Sequence, residues 1–164
     1  MSILRIGHRG AKGYIAENTF SSIKKAIQLD VDGVEIDVHK CLSGELVLSH
    51  DKNLKRMTGK SGVIENLTLK ELEDYLIDDE YKISTLNEIL EKISDPILIN
   101  IELKGSNTAS ATSEIINKFI KKDKWNIKQF IVSSFNWIEL EKLRFIDKYI
   151  PLGVLVNQSM NINE

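Results

Sequence analysis

Cysteine is nearly absent from this sequence, since Cys41 is the single thiol among 164 residues. One cysteine cannot form a disulfide within the chain, which excludes the small disulfide-stapled folds of secreted proteins. We therefore expect a reducing compartment and a cytoplasmic protein. Cys41 falls in a predicted turn, KCLSGE, and we interpret it as a bystander.

Strong net charge and long apolar runs are also missing. The formal net charge is −2, so neither nucleic acid nor an anionic membrane is expected as an electrostatic partner. No run of about eighteen apolar residues occurs, so stable membrane insertion is not expected either. The N-terminus, MSILRIGHRG, does not have the basic start and apolar stretch of a signal peptide. The composition is that of a globular domain long enough to bury a full core.

Short β-branched runs alternate along the chain with segments of helical spacing. Strands are predicted at 3–7, 33–38, 45–50, 97–103, 130–134 and 152–156. Helices are predicted over 18–29, with Asn18 and Thr19 as capping residues, over 110–122, and after the capping boxes TLNE (85–88) and NWIE (136–139). Because the strands are almost continuously apolar, we expect an α/β fold whose parallel sheet is covered by helices.

Residues 51–84 interrupt this alternation and are predicted to form a small insertion after the third strand. The second and third strands are joined by about six residues, which is too short for a crossover helix. That link is either a tight hairpin through Ser43 and Gly44 or an extended crossover without a helix.

The predicted second strand begins the sequence GVEIDVHK (33–40), which is apolar but contains two acids. Side chains alternate across a strand, so Glu35 and Asp37 share the face opposite the aliphatic residues. Two buried carboxylates side by side are costly unless a positive charge lies between them. We expect His39 to point away from Asp37 and to lie outside any site.

Residues of catalytic type cluster at the ends of the predicted strands. The first four strands end in His8 and Arg9, in Glu35 and Asp37, in His50 and Asp51, and in Glu102 and Lys104. In a parallel α/β sheet or barrel, the carboxyl ends of the strands form the edge where ligands bind. Taken singly, each residue has a structural interpretation, such as an ion pair of Glu35 with Arg9 or Lys104. Their joint placement favours a site.

The types of side chain in this set indicate a reaction. Three carboxylates, Glu35, Asp37 and Glu102, suit a hard divalent cation such as Ca²⁺ or Mg²⁺. With that cation, Arg9 and Lys104 make the site attractive to phosphate. His8 and His50 supply imidazoles that titrate near neutral pH, as a general acid and base require. The combination favours metal-assisted cleavage of a phosphodiester.

These motifs resemble a known family in their order and spacing. The segments are GHRG (7–10), ENT (17–19), DGVEIDV (32–38), LVLSHD (46–51), STLNEIL (84–90) and NIELK (100–104). Together they are similar to the glycerophosphodiester phosphodiesterases, which are TIM barrels related to phosphatidylinositol-specific phospholipase C. The likeness extends from about residue 5 to about residue 137. Residues 51–84 are similar to the insertion that this family carries after its third strand.

The resemblance implies a role for each residue of the set. His8 and His50 look like the catalytic pair, and Arg9 and Lys104 like phosphate contacts. One divalent cation, Ca²⁺ or Mg²⁺, is implied, with these ligands: Glu35, Asp37 and Glu102. Glu17 is expected beside the ion or its ligands, and Asp51 either orients His50 or begins the next turn. The implied substrate is a small glycerophosphodiester, cleaved to glycerol 3-phosphate and an alcohol.

The length of the chain departs from the family pattern. A (β/α)₈ barrel takes about 250 residues, whereas six of the eight strands are predicted here in a single domain over residues 1–164. We therefore expect an incomplete TIM-type barrel without the C-terminal part of the domain, whose open edge is covered by self-association or by chain outside this sequence. Two alternatives remain: an inactive barrel fragment that binds metal or phosphate, and a related phospholipid or sphingolipid phosphodiesterase.

Overall fold

A computed structural model describes residues 3–157 of the chain. The strands are β1 Ile6–His8, β2 Gly33–Lys40, β3 Leu46–Leu48, β4 Leu76–Ile77, β5 Tyr81–Lys82, β6 Leu98–Leu103, β7 Phe130–Ser134 and β8 Leu152–Val154. The helices are α1 Phe20–Gln28, α2 Lys55–Thr58, α3 Leu69–Leu72, α4 Leu86–Lys92, α5 Ala109–Lys121 and α6 Trp137–Ile146.

One six-stranded sheet organises the molecule. Its parallel path runs β1-β2-β6-β7-β8, and β3 pairs with β2 outside that path. A helix follows each of the strands β1, β6 and β7, as expected for βα alternation. The predicted α/β class, the parallel sheet and the count of six strands are confirmed.

β3 is the exception to the parallel arrangement. Its register is antiparallel, with Val38 opposite Leu48, so the six-residue link is a hairpin, one of the two predicted alternatives. His50 therefore follows an antiparallel strand rather than a parallel one. His50 still reaches the same edge of the sheet, because β2 extends outward and the hairpin returns alongside it. The Ser49 N–H then donates to the Asp37 carbonyl at 3.2 Å.

The aliphatic face of β2 forms the centre of the core, as the alternation predicts. Val34, Ile36 and Val38 are fully buried and belong to one cluster with Ile23 of α1 and Phe119 of α5. Burying each such side chain stabilises the fold by about 1.5–3 kcal/mol. This packing directs the opposite face of β2, which carries the acids, away from the helices.

The two predicted capping boxes have different outcomes. The first is confirmed, because Thr85 and Glu88 exchange side-chain and backbone hydrogen bonds at the start of α4. The second was wrong, because Asn136 makes no side-chain cap at the start of α6. Glu139 instead reaches across to α5, where its Oε2 accepts the backbone N–H of Ala109 at 3.0 Å. A local pattern was overridden by a tertiary contact.

Residues 51–84 contain α2, α3 and the β4–β5 hairpin, packed around a separate apolar cluster. Its fully or nearly buried members include Val47, Leu54, Ile64, Leu72 and Ile77. Val47 belongs to β3 and lies opposite His39 in the register, so this small unit packs against the hairpin that carries His50 on the face that Val47 shares with His39. A hydrogen bond from the Leu48 N–H to the Ser84 carbonyl at 2.8 Å closes the segment.

The parallel sheet has two free ends over the described chain. β1 and β8 lie at these ends, and residues 3–157 contain no pairing between them. The lack of closure expected for an incomplete barrel is thus observed over residues 3–157, with Ile6 and Val154 exposed at the two ends of the sheet. Self-association across that edge stays a prediction. Between residues 3 and 157, no helix has the length and apolarity that crossing a bilayer requires.

Candidate active site

Three carboxylates meet at the carboxyl ends of the central strands. Glu35 and Asp37 share one face of β2, and Glu102 lies beside Asp37 because the two residues are paired in the register of β2 and β6. One oxygen from each side chain lies within 4.8 Å of the others, and all three are buried. The structure thus brings together the residues that the sequence predicts as metal ligands.

This cluster fits a divalent cation. Two of its oxygens, Glu35 Oε1 and Asp37 Oδ1, are buried and make no hydrogen bond within the described chain, although buried polar atoms almost always have partners. Burial and, after it, the charge of Asp37 raise the pKa of Glu35 from 4.5 to about 7. A cation such as Ca²⁺ or Mg²⁺, which takes oxygen ligands, would satisfy both oxygens and favour the ionised carboxylates.

Asn18 supports the cluster, although its residue type and its position before α1 predict a helix cap. Its Nδ2 donates to Asp37 Oδ2 at 2.8 Å, and its Oδ1 accepts the Asp37 N–H at 3.1 Å. Of the two predicted capping residues, Thr19 is confirmed as the cap of α1, since its Oγ1 accepts the Ser22 N–H at 3.0 Å. A positive φ of 57° at Asn18 turns its side chain away from the helix. Residue-type preferences for helix caps do not predict this backbone angle, so they do not predict the contact of Asn18 with Asp37.

The turn after β1 positions Arg9. Both Arg9 and Gly10 have left-handed backbones, with φ of 52° and 76°. At Gly10 a Cβ would lie 2.7 Å from the backbone of Ser22, so the close approach of the turn to α1 requires glycine. The Arg9 N–H then donates to Glu35 Oε2 at 2.9 Å, and its Nε lies 3.3 Å from Asp37 Oδ2.

Lys104 provides a second positive charge at the cluster. Its Nζ lies 2.8 Å from Glu102 Oε1 and 3.9 Å from Asp37 Oδ1. Arg9 and Lys104, the predicted phosphate contacts, therefore both reach the acids directly. Their charges partly offset three buried carboxylates that would otherwise repel an anionic ligand.

Of the two predicted catalytic histidines, His8 lies next to this cluster, and His50 lines a cleft together with Lys104. His8 Nε2 is 3.7 Å from Glu35 Oε2, and burial followed by the charges of Lys12 and Arg9 lowers the pKa of His8. His50 contacts Asp51 Oδ1 through Nδ1 at 2.7 Å. Because a carboxylate only accepts, Nδ1 carries the proton and Nε2 is left to exchange one with a ligand.

Arg56 joins the site in the structure, although no motif in the sequence predicts it. From α2, its Nε contacts Asp51 Oδ2 at 2.5 Å and its Nη2 contacts Glu17 Oε1 at 2.6 Å. The same Glu17 oxygen accepts from Arg9 Nη1 at 2.9 Å. Glu17 is therefore linked to Asp37, one of the predicted metal ligands, through Arg9, which contacts both carboxylates. Nothing in the spacing of Arg56 signals this role, because it depends on how residues 51–84 fold back.

A cleft of about 660 Å³ opens beside His50 and Lys104. Its other lining residues are His39, Asp51, Lys52, Asn53, Lys55 and Arg56. The expectation that His39 lies outside the site was wrong, because residues two apart on a strand share a face. Its Nε2 lies 3.3 Å from the backbone carbonyl oxygen of His50, to which it can donate. Four of these lining side chains are cationic, which suits an anionic ligand.

Comparison with known proteins agrees with this geometry. A profile of the glycerophosphoryl diester phosphodiesterase family matches residues 8–161, which include all of the site residues described above. The chain belongs to this family. The predicted family resemblance is confirmed, and the match extends further towards the C-terminus than the motifs that suggested it.

Individual relatives within the glycerophosphoryl diester phosphodiesterase family are similar over almost the whole chain. A glycerophosphodiester phosphodiesterase of Caldanaerobacter subterraneus is 32% identical over 164 residues, covering 94% of this chain. The crystal structure of a glycerophosphodiester phosphodiesterase from Thermotoga maritima is 33% identical, with a TM-score of 0.78 over 97% of this chain. An Oleispira antarctica phosphodiesterase, solved with the product sn-glycerol-3-phosphate, is 31% identical, with a TM-score of 0.83 over 93% of this chain.

The chain is shorter than these family members. It spans 67% of the Caldanaerobacter protein and 65% of both the Thermotoga and the Oleispira chains. The structural likeness confirms the TIM-barrel type, of which the described residues form the open part. Every residue of the carboxylate cluster and both histidines lie within the portion that is present.

Proposed function

We propose that this protein hydrolyses glycerophosphodiesters to sn-glycerol 3-phosphate and an alcohol, with one divalent cation as cofactor. The observation that carries the proposal is the convergence of Glu35, Asp37 and Glu102 next to His8 and to the cleft that His50 lines. The names of the Caldanaerobacter and Thermotoga relatives and the product bound to the Oleispira relative support the substrate class.

In this proposal Glu35, Asp37 and Glu102 hold the cation, which is Ca²⁺ or Mg²⁺. When bound, the cation supplies positive charge that stabilises the phosphate and lowers the pKa of an attacking hydroxyl. Arg9 and Lys104 contact the phosphate oxygens. Both already lie at the cluster, so a ligand there would meet their charges without a large movement.

The two histidines transfer protons in the proposed reaction. His8 takes the proton of the attacking hydroxyl, whose oxygen bonds to phosphorus. If that hydroxyl is water, glycerol 3-phosphate forms directly; if it is the glycerol 2-OH, a cyclic phosphate forms first and is then opened by water. The lowered pKa of His8 keeps its imidazole neutral near pH 7, as a base requires. The bond between phosphorus and the departing alcohol breaks as the new bond forms, and His50, which enters this step protonated at both ring nitrogens, gives its Nε2 proton to the alcohol oxygen. Asp51 holds His50 in the orientation that this step needs.

The cleft indicates where the substrate enters. It opens beside His50 and Lys104, and several of its lining residues come from residues 51–84. We propose that these residues act as an insertion within one phosphodiesterase domain and shape the substrate pocket. A cytoplasmic location and a small-molecule substrate are part of the same proposal.

The experiment follows release of glycerol 3-phosphate from glycerophosphocholine with EDTA, Ca²⁺ or Mg²⁺. The wild-type protein is compared with His8→Ala and His50→Ala, and each variant is also tested for thermal unfolding and metal binding. We expect activity only with a divalent cation, and a fall in rate of about 10²–10⁴-fold in each variant. A wild-type rate in either variant would reject the assignment of that histidine.

Two outcomes would favour the other candidates for function. A wild-type protein that binds the cation but shows no turnover is an inactive metal-binding barrel fragment. Faster cleavage of lysophospholipids or sphingomyelin than of glycerophosphocholine would identify a lipid phosphodiesterase. A panel of head groups, run with the same metal, separates these outcomes from the proposed one.

A further inference from the structure

A chain of ionic contacts connects the carboxylate cluster to His50 through Arg56. Arg9 Nε lies 3.3 Å from Asp37 Oδ2, and Arg9 Nη1 lies 2.9 Å from Glu17 Oε1. The same oxygen of Glu17 is 2.6 Å from Arg56 Nη2. These ionic contacts join β2, the loop before α1 and helix α2, which are far apart in the sequence.

From Arg56 the series of ionic contacts continues to the imidazole of His50. Arg56 Nε contacts Asp51 Oδ2 at 2.5 Å, and the other oxygen of Asp51 accepts from His50 Nδ1 at 2.7 Å. The His50 and Asp51 side chains are each about one third exposed, at 32%. Since both border an open cleft, packing alone does not hold them. The guanidinium is the group that fixes the carboxylate to which His50 is bound.

Arginine is suited to this position for a geometric reason. Its planar fork presents two N–H groups in fixed directions, so it can bind one oxygen of Asp51 and one of Glu17 at the same time. A lysine ammonium carries the same charge but lacks that fork. The backbone of His50 is held separately, because His39 Nε2 contacts its carbonyl oxygen at 3.3 Å. What Arg56 adds is therefore the orientation of the ring.

We propose that Arg56 is a positioning residue: through Asp51 and Glu17 it holds the His50 imidazole in the Nδ1–H form, with Nε2 available to the substrate. Arg56 thereby couples the small unit of residues 51–84 to the catalytic groups. The effect of Arg56 on the rate rests on the proposed function, whereas its effect on the ring of His50 does not.

The kinetic test compares Arg56→Lys and Arg56→Ala with the wild-type protein. We expect kcat to fall by about 10- to 100-fold, as for other residues that orient a catalytic or ligand side chain. The affinity for Ca²⁺ or Mg²⁺, measured by calorimetry, should change by less than about threefold because Arg56 does not touch the ligands. The matched control is Arg5→Lys, since Arg5 also bridges two carboxylates, Asp30 and Asp32, and lies at the opposite end of β1.

A spectroscopic test reads the ring of His50 without any turnover. Long-range ¹H–¹⁵N correlation spectra, recorded at alkaline pH on uniformly labelled protein, distinguish the two neutral forms of each histidine. The three histidines are assigned with single His→Gln variants. We expect the Nδ1–H form at His50 in the wild-type protein and in Arg5→Lys. In Arg56→Lys the signal should move towards the Nε2–H form that is common in free imidazoles.

The outcomes separate this inference from the proposed function. A kcat within twofold of wild type in Arg56→Ala, or an unchanged form of the His50 ring, would overturn the positioning role. A parallel loss of metal affinity would also overturn it, because Arg56 would then act on the ligands. If the wild-type protein proves inactive, the proposed function fails and the spectra alone decide. If Arg56→Ala does not fold, Glu17→Gln weakens the same contact from the other side.

Discussion

Glu35 offers a quantitative test of the carboxylate cluster, because its pKa differs between the folded and the unfolded chain. Burial, followed by the charge of Asp37, raises the pKa of Glu35 from 4.5 to about 7. The folded metal-free protein therefore holds a proton that the unfolded chain has lost. The protonated Glu35 side chain therefore contributes a stabilising free energy to the folded protein. This contribution is fully present below pH 4.5 and is lost as the pH rises through 7.

The size of this effect follows from the two pKa values. At about 1.4 kcal/mol per pH unit, the interval from 4.5 to about 7 corresponds to about 3 kcal/mol. In EDTA, the free energy of unfolding of the wild-type protein should fall by about that much between pH 4.5 and pH 8 relative to Glu35→Gln. The glutamine variant does not ionise at this position, and both proteins share every other titrating group.

Urea unfolding followed by circular dichroism measures this difference. The same titration at pH 8 with a divalent cation at about 100 times its dissociation constant should add about 2.7 kcal/mol to the wild-type protein. The variant should gain clearly less, because it has lost one carboxylate ligand. Identical pH dependence for the two proteins in EDTA would refute the account of Glu35 as a carboxylate destabilised by burial.

The remaining predictions concern three other positions. Lys12→Ala should raise the pKa of His8, since the Lys12 charge helps to lower it. The acid limb of the pH profile of kcat/KM should therefore move to higher pH, and an unmoved limb would exclude His8 as the base. Glu139→Ala should lower the free energy of unfolding by about 1–3 kcal/mol, measured by thermal unfolding, because backbone N–H donors at the start of α5 lose their acceptor. The kcat of this variant should stay normal. A stability equal to that of the wild-type protein would contradict this. Gly10→Ala should destabilise the fold by more than about 1 kcal/mol, because of its positive φ and the close backbone of α1. The control Gly13→Ala should be nearly neutral, since nothing lies within 4 Å of its added Cβ, and equal losses in both variants would refute the argument.

The residues whose positions the sequence predicts correctly are those placed by strand periodicity. Alternation along β2 puts Glu35 and Asp37 on one face, and the register of β2 with β6 then brings Glu102 beside them. Periodicity also predicts which side chains form the core, because a parallel strand has little freedom once its aliphatic face is buried. This part of the site follows from local rules.

The residues that the sequence missed depend on contacts between distant segments. Arg56 reaches Glu17 only because residues 51–84 fold back over the hairpin, and Glu139 leaves its own helix to hold the start of α5. Asn18 was assigned to capping because its residue type favours that position. Its left-handed backbone, which redirects the side chain to Asp37, is a consequence of the turn after β1. Residue type and spacing do not determine such contacts.

The most direct test of the whole account is a paired titration of the wild-type protein with Ca²⁺ or Mg²⁺. Calorimetry gives the number of ions bound and their dissociation constant, and hydrolysis of glycerophosphocholine is followed over the same concentrations. The account predicts one ion per chain, activity that saturates at the same dissociation constant, and loss of both in Asp37→Asn. Full activity in EDTA, or binding that is unaffected by Asp37→Asn, would contradict it.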